Sequence, residues 1–188
     1  LLLLVVAGCS VPPKGGFDEV ARIVTERTGH RVHWYQGTEE DAQVLARIQD
    51  LLRAELTADA AVQIALLNNR ALQATYEDLG IAQVELVQAG LLRNPVFSAE
   101  FGFPDRRPSE AEYGLGIAID FLDLLLTPAR RSLAQIEFEE VKLRVAHEVM
   151  EVAFEVRQSH VDLQGSLQQA EMLRVVLAAA DASAELAR

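Results

Sequence analysis

A chain of 188 residues and 20.7 kDa has room for about one ordinary domain. Half its residues are hydrophobic but only 6% are aromatic, with 24% charged, 11 Gly and 6 Pro; this excludes a disordered or collagen-like chain and suits long helices better than a sheet sandwich, which needs turn residues at every corner. A formal charge of −11 without a Lys/Arg cluster argues against nucleic acid as a partner, and a single Cys excludes an internal disulfide or a thiolate-rich zinc site.

The amino end runs Leu1-Leu2-Leu3-Leu4-Val5-Val6-Ala7-Gly8-Cys9-Ser10, an apolar stretch that meets small residues and then the Cys. Without Met or a basic segment, residues 1–9 read as a signal peptide truncated at its start. Val6-Ala7-Gly8-Cys9 resembles the lipobox of bacterial lipoproteins, with Val6 in place of the usual Leu. That resemblance implies that Cys9 is cut free and lipidated, by diacylglycerol and palmitate, and that Ser10 sorts the protein to the outer membrane. Pro12-Pro13-Lys14-Gly15-Gly16 suits a linker behind an anchor.

Residues 10–56 read as an amino-terminal periplasmic segment: amphipathic stretches over Phe17–Arg27 and Asp41–Leu52 surround a polar turn with Gly29 and Gly37, and His33-Trp34-Tyr35 suits a short extended piece. Thr57, with Asp59 in the first turn, predicts a helix start. One unbroken helix is expected to Leu92, roughly 54 Å long at about 1.5 Å per residue. Its face carries Val62, Leu66, Asn69, Leu72, Tyr76, Leu79, Ala82 and Leu86 at steps of three and four.

After Asn94-Pro95 the period changes to two. Phe97, Ala99, Phe101 and Phe103 alternate with Ser98, Glu100 and Gly102; beyond a polar loop, Tyr113, Leu115, Ile117, Ile119 and Phe121 alternate with Gly114, Gly116, Ala118 and Asp120. Two strands are predicted, each with large apolar residues on one side and small or acidic ones on the other. This is the pattern of a membrane barrel and also of a two-stranded patch on a soluble core. The apolar stretch Ile117–Leu126 is too short and too acidic for a membrane helix.

Thr127-Pro128 predicts a second helix start, with Pro128 near N1, and the helical pattern then runs to Arg188. Phe138, Val141, Val145, Val149, Val152, Val156, Ser159, Leu163, Leu167, Ala170 and Leu173 form a near-heptad seam that a lone helix cannot bury. Because Arg188 precedes any cap, the carboxyl end reads as truncated.

Few residues carry chemistry. His30 and His33 are three apart beside Gly29 and β-prone neighbours, too few ligands for a metal site. His147 and Glu151 suit a surface pair, and Glu137, Glu139 and Glu140 a solvated helix face or a cation-attracting lining. With no nucleophile motif, phosphate loop or His-Glu-x-x-His, the reading is of a non-enzyme with no cofactor, no catalytic residue and no metal site.

The order of lipobox, long helix, two strands and longer helix resembles the first half of a TolC-type outer-membrane efflux channel. Leu56-Thr57-Ala58-Asp59-Ala60-Ala61-Val62-Gln63-Ile64-Ala65-Leu66-Leu67-Asn68-Asn69 resembles that family's opening helix. Gln88-Ala89-Gly90-Leu91-Leu92-Arg93-Asn94-Pro95 and Pro128-Ala129-Arg130-Arg131 resemble its helix-to-strand and strand-to-helix junctions. The resemblance implies a fold that is mainly α with two β-strands, long coiled-coil helices flanking a hairpin-like pair that joins an oligomeric outer-membrane β-barrel. Residues 57–188 would be the first of two repeats in each protomer of a homotrimer, joined through a periplasmic adaptor to an inner-membrane pump. Phe97, Phe101, Ile117 and Ile119 would then face outer-membrane lipid, and Ser98, Glu100, Gly116 and Asp120 the lumen. The function implied is a passive export conduit for small molecules or metal ions; the alternative is a lipid-anchored periplasmic coiled-coil scaffold or adaptor without a pore. Half a protomer, expressed alone, would be helical and fail to conduct.

Overall fold

The computed structural model describes residues 15–102 and 112–187; Cys9 and Phe103 lie outside them. The chain is mainly helical: α1 (Phe17–Thr28), α2 (Glu39–Arg53), α3 (Ala58–Asn68), α4 (Arg70–Ala89) and α5 (Phe121–Leu186), with an antiparallel pair, β1 (Val96–Gly102) and β2 (Glu112–Ala118), between α4 and α5. Two units can be distinguished among the described residues, one of residues 15–79 and 141–187, the other of residues 80–102 and 112–140; α4 and α5 contribute to both.

In the first unit, α1 ends where Gly29 takes φ 74° and donates its N–H to Thr25 O at 2.9 Å, a left-handed cap that suits glycine. Gly37, also at φ 74°, turns the chain into α2, where Asp41 Oδ2 accepts the Thr38 N–H at 2.9 Å. Thr57 begins α3 by accepting the Ala60 N–H at 3.2 Å. The single helix expected from Thr57 to Leu92 is broken. Asn69 is extended, and its Oδ1 accepts the Ala71 N–H at 2.8 Å, because a short amide side chain can replace a backbone partner and restart the helix as α4. The expected apolar face survives the break: Val62, Leu66, Leu72, Tyr76 and Leu79 are buried with Phe17, Val20, Val24 and Trp34, and with Val145, Ala146, Val149 and Ala153 of α5.

The His33-Trp34-Tyr35 segment is not strand, yet it is held as a strand would be. Gln63 of α3 accepts the Arg31 N–H at 3.0 Å and donates to Arg31 O at 2.8 Å. Gln73 of α4 accepts the Tyr35 N–H at 2.8 Å and donates to His33 O at 2.9 Å. Two side-chain amides thus replace a neighbouring strand for a segment that would otherwise bury unpaired backbone. Trp34 is pinned by its indole N–H to Glu77 Oε1 at 3.0 Å and packs on Phe17.

Two carboxylates of this unit are held below their ordinary range, Glu19 by the hydrogen bond and charge of Lys142, and Asp41 by the hydrogen bond from His33, whose Nε2 is 2.6 Å from Asp41 Oδ1. Depressed folded-state values mean stabilisation that is present at neutral pH and lost as pH falls through them. The thermal midpoint should therefore drop in acid below the ordinary carboxylate range, and a Glu19→Gln/Asp41→Asn variant should start lower and vary less there. A variant midpoint that falls as steeply as the parent's would contradict this.

The seam of α5 is packed only in part. Val145 and Val149 are buried and Val152 and Val156 half-buried, whereas Leu163, Leu167 and Leu173 are exposed. Among the described residues no helix is long and apolar enough to cross a membrane.

Candidate functional site

The second unit contains the hairpin and the places where helices meet it. Its register pairs Phe97 with Ile117, Ala99 with Leu115, and Phe101 with Tyr113; between these lie Ser98 opposite Gly116 and Glu100 opposite Gly114. Directly paired residues share a face, so the pairing gathers Phe97, Ala99, Phe101, Tyr113, Leu115 and Ile117 on one side. Ser98, Glu100, Gly114 and Gly116 fall on the other. The apolar side is exposed, Phe97 at 72% and Leu115 at 87%, with the rings of Phe101 and Tyr113 edge to face at 6.1 Å.

On the small side, a β-carbon on Gly116 would stand 2.6 Å from Ser98 Oγ, so any larger residue there must turn the Ser98 hydroxyl away. Among the described residues the sheet has these two strands alone, leaving one edge of each unpaired.

Ile119 and Asp120, predicted as strand residues, correct the reading: β2 ends at Ala118. Asp120 is instead the N-cap of α5, its Oδ1 accepting the Asp123 N–H at 3.2 Å. Consequently α5 starts at Phe121 rather than near Pro128, which lies inside it. The capped start and a run of leucines outweigh the one backbone bond that a proline removes, and the Thr127 hydroxyl donates to Asp123 O at 2.7 Å beside it.

The two predicted junction motifs meet in space. Asp123 is buried, accepting the Arg93 backbone N–H at 3.1 Å and pairing with Arg130 at 2.7 Å. Arg93 also lies 3.8 Å from Asp120, and the Arg131 side chain passes beside Gly90, its Cδ at an ordinary contact distance of 3.5 Å from where a β-carbon would stand. The entry to β1 and the exit from β2 are thus fastened to one carboxylate, which sets the hairpin's two ends side by side. Sequence reading missed Asp123, whose signal was an acidic residue three positions after a capping Asp in an otherwise apolar run.

The other candidates stay apart. His30 is 3.8 Å from Asp59 while His33 pairs with Asp41, and His147 and Glu151 form an exposed pair at 3.5 Å. Among the described residues no group of three or more His, Cys, Asp or Glu could hold a metal ion. No protein-family model, curated protein or solved structure matches the chain.

Proposed function

We propose that this protein is a component of an outer-membrane efflux channel, a passive conduit for small molecules or metal ions. The observation that carries the reading is the hairpin: an exposed apolar face kept in register, a small and polar opposite face, and strand edges left unpaired among the described residues. In lipid only a closed barrel satisfies strand backbone groups, so a two-stranded piece with a lipid-compatible face needs strands from elsewhere, which the second repeat and the other protomers would supply. A homotrimer with a periplasmic adaptor and an inner-membrane pump as partners follows from the resemblance of the opening helix and junction motifs to TolC-type channels, and an anchor at Cys9 from the resemblance of Val6-Ala7-Gly8-Cys9 to a lipobox.

The exposed Leu163, Leu167 and Leu173 favour a second reading, a lipid-anchored coiled-coil scaffold whose helices meet a partner without forming a pore. Extraction of the protein from bacterial outer membranes separates the readings. The channel reading expects a diacylglyceryl group on Cys9 by mass spectrometry together with a heat-resistant oligomer on gels. A lipidated chain that migrates only as monomer supports the scaffold; an unmodified chain in the soluble fraction sinks both.

A further inference from the structure

We propose that a cleft bounded by the 29–33 segment, α2 and α3 binds a small organic anion, a carboxylate or phosphate ester carried on an apolar body. This does not rest on the channel reading. The cleft measures about 570 Å³ and is lined by Arg31 from the extended segment and by Gln43 and Arg47 from α2. Gln43 and Arg47 are four apart, on one face of the helix.

Neither guanidinium has a hydrogen-bond or ion-pair partner among the described residues, although the chain carries 28 Asp and Glu against 17 Lys and Arg. Glu40, the carboxylate in the lining, has a partner of its own. Val32, Val44 and the buried Leu67 supply an apolar surface between these polar groups. A guanidinium fork matches carboxylate and phosphate oxygens, and the apolar lining suits a hydrocarbon or ring rather than a bare ion.

The walls are held in place without a ligand. Gln63 grips the backbone of Arg31 on both sides, and His33 joins the segment to Asp41 in the first turn of α2. Such fixed walls reduce the ordering that binding would otherwise require, and the volume falls within the range of about 300 to 1,000 Å³ common to small-molecule sites.

The test is calorimetric titration of the full chain with hexanoate and hexyl phosphate, beside hexanamide, which keeps the body without the charge, and inorganic phosphate, which keeps the charge without the body. At least one of the two amphipathic anions should bind roughly tenfold or more tightly than either control, as expected for a charge-assisted hydrogen bond. Arg47→Met and Arg31→Met should each weaken that binding by about tenfold. Both side chains are exposed, and Gln63 holds only the backbone of Arg31, so circular dichroism and the melting midpoint should stay at the parent's values. Arg22→Met, at an exposed pair with Glu26 on α1, should leave binding unchanged. Hexanamide binding as tightly as hexanoate, anion binding indifferent to both arginine variants, or no heat from either anion would overturn the proposal.

Discussion

Tyr76→Ala should lower the stability of the unit built on residues 15–79 and 141–187 by about 3 to 5 kcal/mol, the range for emptying a large aromatic site in a core. Tyr76 has no exposed surface, and its ring meets Phe17 edge to face at 5.0 Å and tilts against Trp34 at 6.4 Å. Those three rings join α1, the extended segment and α4, so the cavity would open where three pieces of chain converge. Tyr76→Phe should behave oppositely. The hydroxyl is buried without a hydrogen-bond partner among the described residues, and burial pushes its titration well above the usual tyrosine range. Removing an unsatisfied buried hydroxyl while keeping the ring should leave stability unchanged or raise it by about 1 kcal/mol. Urea unfolding followed by the fluorescence of Trp34 measures both, and a Phe variant less stable than the parent by more than about 1 kcal/mol would show that the hydroxyl has a favourable partner.

The second large effect concerns the hairpin faces. Ile117→Arg or Phe101→Arg places a cation on the apolar side, where it should cost about 2 to 4 kcal/mol near the middle of a bilayer and less toward its surface. In the proposed trimer every copy would incur that cost. Glu100→Arg falls on the opposite side, facing Gly114, and avoids it. Heat-resistant oligomer bands should therefore be lost with the first two variants and kept with the third. Equal yields would mean that the two faces see the same medium.

The parts of the fold legible in the sequence are those governed by local periodicity. Alternation over Phe97–Phe101 and Tyr113–Ile117 predicted strands whose pairing then placed like residues on like faces. The three-and-four spacing of Val62, Leu66, Leu72, Tyr76 and Leu79 predicted a face that is buried as a set. Misreadings came where one polar side chain decides a boundary. Asn69 lies at a position the helical period fills well, and only its amide capping α4 reveals a break. Asp120 keeps the strand period yet caps a helix, so alternation ran on through Ile119 into the first turn of α5 while Pro128 suggested a later start. Least legible were contacts between distant positions: the Gln63 and Gln73 clamps on the 31–35 segment, Asp123 between Arg93 and Arg130, and the arginine-lined cleft. None leaves a periodic trace, since each depends on where the chain returns to itself.

In the proposed channel the apolar face of the hairpin lies in lipid and its opposite face in water. Spin labels at Leu115 and, separately, at Glu100, in protein reconstituted into liposomes, report this through relaxation by oxygen and by a water-soluble nickel chelate. A membrane wall predicts a label at Leu115 relaxed mainly by oxygen and one at Glu100 relaxed mainly by nickel. Strong nickel relaxation at both positions would place the hairpin in water and contradict the account.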